Sequence, residues 1–134
     1  MADKVAIVTG GSRGIGRASV MRLLADGCAV ATCGRSDRPS DLPDAVMWHR
    51  VDVADTGQAT AFVSAVSREV GSITALVNNA GVQVEKTVAY SSDADFDHVM
   101  NVNCRGVFNM CRAVLPGMTG AGGAIVNIGS ISGN

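Results

Sequence analysis

The chain has 134 residues, of which 47% are hydrophobic, and a formal net charge of −1, enough apolar sequence for one packed domain. A charge so close to zero gives no reason to expect binding to nucleic acid or to an anionic membrane. The apolar runs have strand length and are interrupted by Gly or charge, so no membrane span is predicted. The start, MADKVAIVTG, lacks the apolar stretch of a signal peptide, so a cytoplasmic location is expected.

The cysteine pattern indicates neither disulfides nor a metal site. The chain has four cysteines, Cys28, Cys33, Cys104 and Cys111, and no two of them form a C-x-x-C pair. No histidine or further cysteine completes a zinc-binding set. We therefore expect all four to be small buried hydrophobic side chains in a reducing compartment.

Strand-like and helix-like segments alternate through the first part of the chain. Val5 to Thr9 is a continuous apolar run, typical of a parallel strand covered on both faces. A Gly-rich turn and a helix from about Ile15 to Asp26 follow. Ala29 to Cys33 and Val46 to Val51 are predicted as the second and third strands, joined by a polar surface loop.

The second helix has the clearest periodicity. Asp55 and Gln58 stand three residues apart at its start, which predicts a capping box, and Gly71 follows its end. Its apolar residues fall on one helical face: Ala59, Phe62, Val63, Val66 and Val70.

The remaining elements complete an α/β pattern. Ile73 to Val77 is predicted as strand four, Asp93 to Leu115 as a long helix ended by Pro116-Gly117, and Ala124 to Ile128 as strand five. Strands alternating with helices indicate βαβ units, and so an open, doubly wound parallel sheet of Rossmann type. Functional residues are expected beyond the carboxyl ends of its strands.

The turn after strand one is the first candidate site. Glycines there let the backbone approach a diphosphate, and the helix that begins within the turn directs N–H groups at the anion. The sequence is not a P-loop, because Gly16-Arg17-Ala18 stands where Gly-Lys-Ser/Thr would be needed. A tight connection without a ligand is the alternative. The turn reads Thr9-Gly10-Gly11-Ser12-Arg13-Gly14-Ile15-Gly16.

This turn resembles the T-G-x-x-x-G-x-G fingerprint of the short-chain dehydrogenases/reductases. The resemblance continues in family order through Asp52-Val53, Asn78-Asn79-Ala80-Gly81, Asn103 and Asn127-Ile128-Gly129-Ser130. The resemblance covers essentially the whole chain. The motifs are similar to those of bacterial 3-oxoacyl-acyl-carrier-protein reductases. The resemblance implies one NAD(P)-binding Rossmann domain over residues 1–134. The cofactor contacts that it implies are Gly10, Gly11, Ser12, Arg13, Gly14, Ile15, Gly16, Asp52, Val53, Asn79, Ala80 and Gly81.

The residues after strand two predict a preference for NADP(H) over NAD(H). An acid near this place holds the ribose 2′-hydroxyl in NAD-binding folds, whereas an arginine suits a 2′-phosphate. By resemblance, that acid would stand at Gly34, which Arg35 follows. Arg13 is a second basic residue, at a place where NADP-preferring members of the family often carry one. A guanidinium can grip a phosphate through paired hydrogen bonds. The alternative is that both arginines are ordinary surface residues.

Asn103 and Ser130 are the predicted catalytic residues. Asn103 interrupts a stripe predicted to be buried, formed by Phe96, Met100, Val107 and Val114, so its amide should have partners. A local backbone hydrogen bond that bends the helix is the structural role, and we expect it together with a functional one. By resemblance, Asn103 holds a proton-relay water, and Ser130 polarises the substrate oxygen. Ser132 is a weaker candidate.

The family places a Tyr and a Lys beyond the serine, and neither stands there in the 134 residues. Tyr90, the one tyrosine, has no Lys four residues on. His49 and His98 are expected to have surface or packing roles. By resemblance, the parent protein is expected to interconvert carbonyls and alcohols and to form a homo-oligomer (a dimer or tetramer). The carboxyl-terminal elements of the family fold are absent from these 134 residues. The 134 residues alone should lack turnover, and one edge of the sheet and much of the long helix should be uncovered.

Two rival functions remain open at this point. A non-enzymatic nucleotide-binding module, or one half of a split protein, would also lack the Tyr and the Lys. A different Rossmann-like enzyme, such as a methyltransferase, is the third possibility. The Asn78–Gly81 and Asn127–Ser130 motifs argue against it.

Overall fold

A five-stranded parallel sheet forms the centre of the protein. The computed structural model describes residues 3–130, and all four pairs of neighbouring strands run parallel. In spatial order the strands are β3-β2-β1-β4-β5, so the predicted doubly wound sheet is confirmed. The strands are β1 (Val5–Thr9), β2 (Ala29–Gly34), β3 (Met47–Arg50), β4 (Ile73–Asn78) and β5 (Ala124–Asn127).

Helices cover both faces of this sheet. A 3-10 turn spans Val88–Tyr90, and a π-helical turn, Asn101–Arg105, joins the last two helices. Within the described range, no helix combines the length and the apolar character needed to cross a bilayer. The helices are α1 (Gly14–Ala25), α2 (Thr56–Glu69), α3 (Asp93–Met100) and α4 (Gly106–Met118).

The strand order creates a crevice beside β1. From β1 the chain first builds outward through β2 and β3, and it then returns to place β4 on the other side of β1. The connections that follow β1 and β4 therefore leave the sheet in opposite directions. Such a switch point is where open α/β sheets bind ligands.

The apolar strand runs fold as predicted because both of their faces are covered. All five residues of β1 are buried. One face of the sheet forms a core with α2 and α4, in which Phe62, Val66 and Met110 are buried. The other face packs against α1 and the loop after β2, through Val20, Leu42 and their neighbours.

The predicted capping box of α2 is only half formed. The Asp55 carboxylate accepts a hydrogen bond from the Gln58 backbone N–H at 3.0 Å. The Gln58 side chain does not return this bond; its Oε1 accepts from the Asp52 backbone N–H at 2.8 Å. The prediction was wrong in this half because the Asp55 backbone N–H already donates to the Asp52 carbonyl at 3.0 Å. The Gln58 side chain instead holds the end of the loop after β3.

The predicted long helix is interrupted and ends later than expected. The π-helical turn separates α3 from α4, and α4 runs through Pro116 and Gly117 to Met118. Pro116 is exposed and lies in the last turn of α4. It has no backbone N–H to donate to the carbonyl four residues earlier, so the helix continues through it with one backbone hydrogen bond fewer. Met118 is buried against the sheet, and this contact favours the extra turn.

The apolar stripe around Asn103 was predicted to be buried, but most of its residues are not. Phe96 and Met100 are exposed by 63% and 40%, and Val114 alone among the four predicted residues is buried. The same side of the molecule exposes Phe108 and Leu115 of α4. Uncovered surface was expected on the long helix and at one edge of the sheet. The exposure of these side chains confirms it for the helix, and that of Val126 places the uncovered edge at β5.

All four cysteines are free thiols, and the structure divides them by environment. Cys33 is buried at the end of β2, and burial raises the pKa of its thiol to about 12, so it is a neutral hydrophobic side chain. Cys28 and Cys111 are half-buried. The expectation of burial was wrong for Cys104, which is exposed because it lies on the open side of the π-helical turn.

At the first residue of α4, Gly106, close packing against Val53 leaves no room for a side chain. A Cβ there would lie 2.5 Å from Val53 Cγ2. Gly106→Ala should therefore lower the free energy of unfolding by about 1–3 kcal/mol, measured by urea denaturation. Gly117→Ala is the matched control in the same helix, since nothing lies within 4 Å of its added Cβ. Equal stability of the two variants would contradict this packing.

Candidate functional site

The loop between β1 and α1 has a backbone that requires glycine. Gly10 and Gly14 have φ values of 71° and 60°, in the region that other residues rarely adopt. A Cβ on Gly11 would overlap the Thr32 hydroxyl, and one on Gly16 would overlap the Gly10 carbonyl oxygen. The loop is therefore packed directly against β2 and α1, with its other side open.

The amino-terminal end of α1 is open toward that side. Arg13 occupies the N-cap position without a side-chain cap, and the first turn carries no acidic residue. The first-turn N–H groups and the positive end of the helix dipole are thus available to an anion. This arrangement is suited to a phosphate or diphosphate.

Thr9 joins the two strands that border the crevice. Its side chain, 2% exposed, accepts hydrogen bonds from the backbone N–H groups of Asn79 and Ala80, each at 3.0 Å. The Asn79 amide in turn donates to the Gly10 carbonyl at 3.1 Å. Thr9 was not among the predicted site residues, although a polar residue at the end of a buried apolar strand is a usable signal.

A cleft of about 480 Å³ lies above these carboxyl ends. Of the cofactor contacts that the sequence predicts, Gly11, Ile15 and Gly16 are not part of its lining. Gly11 and Gly16 are buried, and the Ile15 side chain is exposed outside the cleft. Cleft residues that sequence reasoning missed are Cys33, Gly34, Ser36, Val51, Val82 and Val102. The predicted residues that line it are Gly10, Ser12, Arg13, Gly14, Arg35, Asp52, Val53, Asn79, Ala80 and Gly81.

Three arginines near this cleft are already engaged. Arg17 donates to the Gly11 and Ser12 carbonyls and pairs with Asp41 at 3.1 Å. Arg38 donates to three carbonyls of the loop after β2, the shortest contact being 2.7 Å to Val46. Arg50 pairs with Asp37 at 3.4 Å. These side chains hold the loops in place.

Arg13 and Arg35 differ from these three. Both are exposed and line the cleft. Neither guanidinium makes a hydrogen bond or an ion pair with any residue in the range 3–130. The cleft therefore presents two available cations beside the open end of α1.

The Asp52-Val53 segment is held from two sides. Gln58 accepts from the Asp52 N–H, as described above. The amide of Asn109, buried in α4, donates to the Val53 carbonyl at 2.9 Å. Gly106, one turn earlier, lets the Val53 side chain contact the helix backbone. Asn109 is a positioning residue that the sequence analysis missed, although an amide on the buried face of an apolar helix is an available signal.

A second cleft, of about 540 Å³, continues along β4 and β5. Asn103 and Ser130, the two predicted catalytic residues, both line it, together with Asn79 to Gly81. Asn78 donates to the Asn127 side chain at 3.0 Å, which joins the two strands beneath this cleft. The structure therefore brings the predicted catalytic pair to one place. Ser132 lies outside the described residues.

Asn103 has partners, but they are not those of the expected structural role. Its Nδ2 donates to the Val82 carbonyl, and its Oδ1 accepts from the Val82 N–H, both at 2.8 Å. The expected local bond within the helix is thus replaced by a pair of bonds to the segment after β4. Asn103 nevertheless lies in the π-helical turn, a feature frequently found at functional sites.

The remaining ionisable candidates lie away from both clefts. The His49 ring packs against Phe62 with centroids 5.4 Å apart, and His98 is exposed on α3, so the predicted packing and surface roles are confirmed. Tyr90 is 83% exposed and lines neither cleft.

The profile of the short chain dehydrogenase family matches residues 4–134. A 2-(R)-hydroxypropyl-CoM dehydrogenase from Xanthobacter autotrophicus is 42% identical, over 97% of this chain and 57% of its own length. An acetoacetyl-CoA reductase from Allochromatium vinosum is 36% identical, over 97% of this chain and 57% of its own length. The chain spans little more than half the length of these curated relatives.

Solved structures agree with the sequence comparison. Aldohexose dehydrogenase from Thermoplasma acidophilum superposes with a TM-score of 0.89 at 33% identity, over 96% of this chain and 50% of the other. The closed form of a serine dehydrogenase complexed with NADP+ gives a TM-score of 0.87 at 30% identity, over 96% and 55%. The chain belongs to the short chain dehydrogenase family, an oxidoreductase family, and this membership is at odds with the methyltransferase alternative.

The ion pair between Arg17 and Asp41 can be tested through the pKa of the Asp41 carboxyl group. The Arg17 guanidinium donates a hydrogen bond to the Asp41 carboxylate and adds a positive charge, which lowers the pKa of Asp41 below its ordinary 3.8. The stabilisation is therefore present above the unfolded-state pKa and is lost as the pH falls through the lowered one. Arg17→Gln should move the Asp41 midpoint back toward 3.8 in an NMR titration.

Asp95 supplies the internal control for that titration. Its pKa is lowered mainly by the backbone N–H of Ser92, with a further contribution from Lys86, and Arg17 takes no part. Its midpoint should stay the same in both proteins. An Asp41 midpoint that does not move would show that Arg17 is not its partner in solution.

The two hydrogen bonds that the Thr9 hydroxyl accepts predict a difference in stability between two conservative variants of Thr9. Thr9→Val keeps the shape but leaves the N–H groups of Asn79 and Ala80 without their acceptor. It should lower the free energy of unfolding by about 1–3 kcal/mol and speed hydrogen exchange at those two amides. Thr9→Ser keeps the hydroxyl and should preserve the slow exchange. Equal exchange rates in the two variants would contradict the assigned bonds.

Proposed function

We propose that this chain binds NADP(H) in preference to NAD(H), and that the whole protein interconverts a carbonyl and an alcohol. The observation that carries the cofactor preference is the pair Arg13 and Arg35. Both line the cleft and have no partner among residues 3–130, whereas neighbouring arginines are bound to loop carbonyls and carboxylates. A 2′-phosphate would provide the anionic partner that these two guanidinium groups lack.

The rest of the cleft fits the remaining parts of a dinucleotide. The diphosphate would bind the open end of α1 and the backbone of Gly10 to Gly14, where side chains would obstruct it. Asp52 and Val53 would hold the adenine, with Gln58 and Asn109 fixing their backbone. Asn79 to Gly81 would line the ribose on the nicotinamide side, since they belong to both clefts.

The second cleft would hold the reacting groups. NADP(H), when bound, supplies or accepts the hydride. The Ser130 hydroxyl would donate a hydrogen bond to the substrate oxygen and stabilise the negative charge that develops there. Asn103 would hold a proton-relay water through the second lone pair of its Oδ1. The relatives are named dehydrogenases and reductases, which supports a carbonyl or alcohol as the substrate class.

We propose further that the 134 residues bind the cofactor without turnover. Tyr90, the one tyrosine, lines neither cleft, so no phenol of these residues stands beside Ser130 to exchange the substrate proton. The exposed Phe108 and Leu115 support a homo-oligomer, because an apolar surface of this kind is normally covered. The four free thiols support a reducing location such as the cytoplasm.

Arg35→Gln tests the cofactor preference. Losing a charge-assisted hydrogen bond of about 1.5–3 kcal/mol should weaken NADPH binding by roughly 10- to 100-fold. NADH lacks the 2′-phosphate, so its Kd should stay within about twofold. Both Kd values can be measured through the fluorescence of the reduced nicotinamide.

Arg22→Gln is the matched control. Arg22 is an exposed arginine of α1 paired with Asp26 at 3.2 Å, so its replacement removes the same charge away from the cleft. It should change neither Kd appreciably. If Arg35→Gln weakens both cofactors equally, or if the unaltered protein binds NADH as tightly as NADPH, the proposed preference is wrong.

A further inference from the structure

Gly34, the last residue of β2, lies in the cleft wall directly before Arg35. An added Cβ at this position would lie 2.7 Å from Cη2 of Trp48, 3.2 Å from Cζ2 and 3.7 Å from Cζ3. Its three nearest heavy atoms all belong to one edge of one indole. The Trp48 ring therefore occupies the space that a side chain at position 34 would need.

The backbone at Gly34 does not itself require glycine. The glycines with positive φ in the described range do not include Gly34, and the residue has ordinary strand geometry. Any residue could adopt this conformation. The obstacle to a larger residue at this position is thus the contact with Trp48.

Packing against the core positions the Trp48 ring beside Gly34. Trp48 lies on β3 opposite Thr32 of β2, and it packs against the core beneath α1 that contains Leu42 and Val46. Its Nε1 is buried and has no hydrogen-bond partner among the described residues. No polar contact therefore fixes the indole, and packing alone positions it. Displacing the ring would break that packing.

We propose that Trp48 is a specificity-determining residue for the cofactor. By restricting position 34 to glycine, its ring prevents a carboxylate from standing where it could accept a hydrogen bond from a ribose 2′-hydroxyl. The same restriction removes a negative charge that would repel a 2′-phosphate beside Arg35. The proposal rests on the NADP(H) preference given above, and it adds that a residue on β3, outside the cleft lining, enforces it.

The direct test compares Gly34→Asp with Gly34→Asp/Trp48→Phe. Phenylalanine keeps an aromatic ring on β3 but lacks the distal six-membered ring that meets position 34. Kd values for NADH and NADPH are measured by the fluorescence of the reduced nicotinamide. Gly34→Asp alone should weaken both cofactors. The double variant should favour NADH, with a ratio of the two Kd values changed at least about tenfold from that of the single variant.

Trp48→Phe alone should still prefer NADPH, because it adds no carboxylate. If Gly34→Asp by itself favours NADH as strongly as the double variant does, Trp48 does not exclude the acid and the proposal is overturned. It is equally overturned if the double variant folds and still prefers NADPH. An unaltered protein that prefers NADH would instead overturn the proposed function, whatever the variants do.

A milder pair of variants keeps the test decisive if Gly34→Asp does not fold. Gly34→Ala adds only the Cβ, and Trp48 is the chain's one tryptophan, so its emission reports on the contact. Gly34→Ala should shift that emission and lower the midpoint of urea unfolding. Trp48→Phe in the same chain should relieve most of the loss in midpoint.

Gly57→Ala is the control for this pair, because its added Cβ would meet only the Asp55 carboxylate at an ordinary 3.4 Å. It should leave the Trp48 emission unchanged. If Gly34→Ala has the emission and the unfolding midpoint of the unaltered protein, the indole does not fill position 34 and the proposal fails. This outcome is independent of which cofactor the protein prefers.

Discussion

The Thr9 hydroxyl joins β1 to the segment after β4 at the point where the strand order reverses. It accepts from two backbone N–H groups there, at Asn79 and Ala80, and without it these groups would be buried beside an apolar strand with no acceptor. The bond fixes the floor of the crevice. Around it, the glycine loop, the Asp52-Val53 segment and the Asn79–Gly81 segment converge on one cleft.

Polar and charged side chains that bond to backbone groups support this cleft. Arg17 and Arg38 are bound to loop carbonyls, Asn109 to the Val53 carbonyl, and Asn103 to both backbone groups of Val82. Each of these polar side chains has several hydrogen-bonding atoms and can fix an irregular segment that has no sheet or helix bonding of its own. Arg13 and Arg35 remain available as cations because other residues hold the loops.

The order and type of the elements could be predicted from the sequence, and so could ten of the residues that line the cleft. Buried strands appear as continuous apolar runs, and glycine motifs have a local physical cause, so both are visible without a fold. The interruption at Asn101–Arg105 and the exposure of Phe96 and Met100 could not be predicted. They depend on which surfaces meet, and helical spacing states only which residues share a face.

The sequence by itself determined the doubly wound sheet, the glycine turn and the placing of polar residues after the strands, because each follows from periodicity or from local backbone geometry. The tertiary structure alone decided which arginines are engaged and which are available, since Arg17, Arg38 and Arg50 look like Arg13 and Arg35 until their partners are placed. It also decided that Trp48 stands against Gly34, a contact between two strands. Sequence patterns carry no distance between residues on different strands, and that distance gives Trp48 its proposed role.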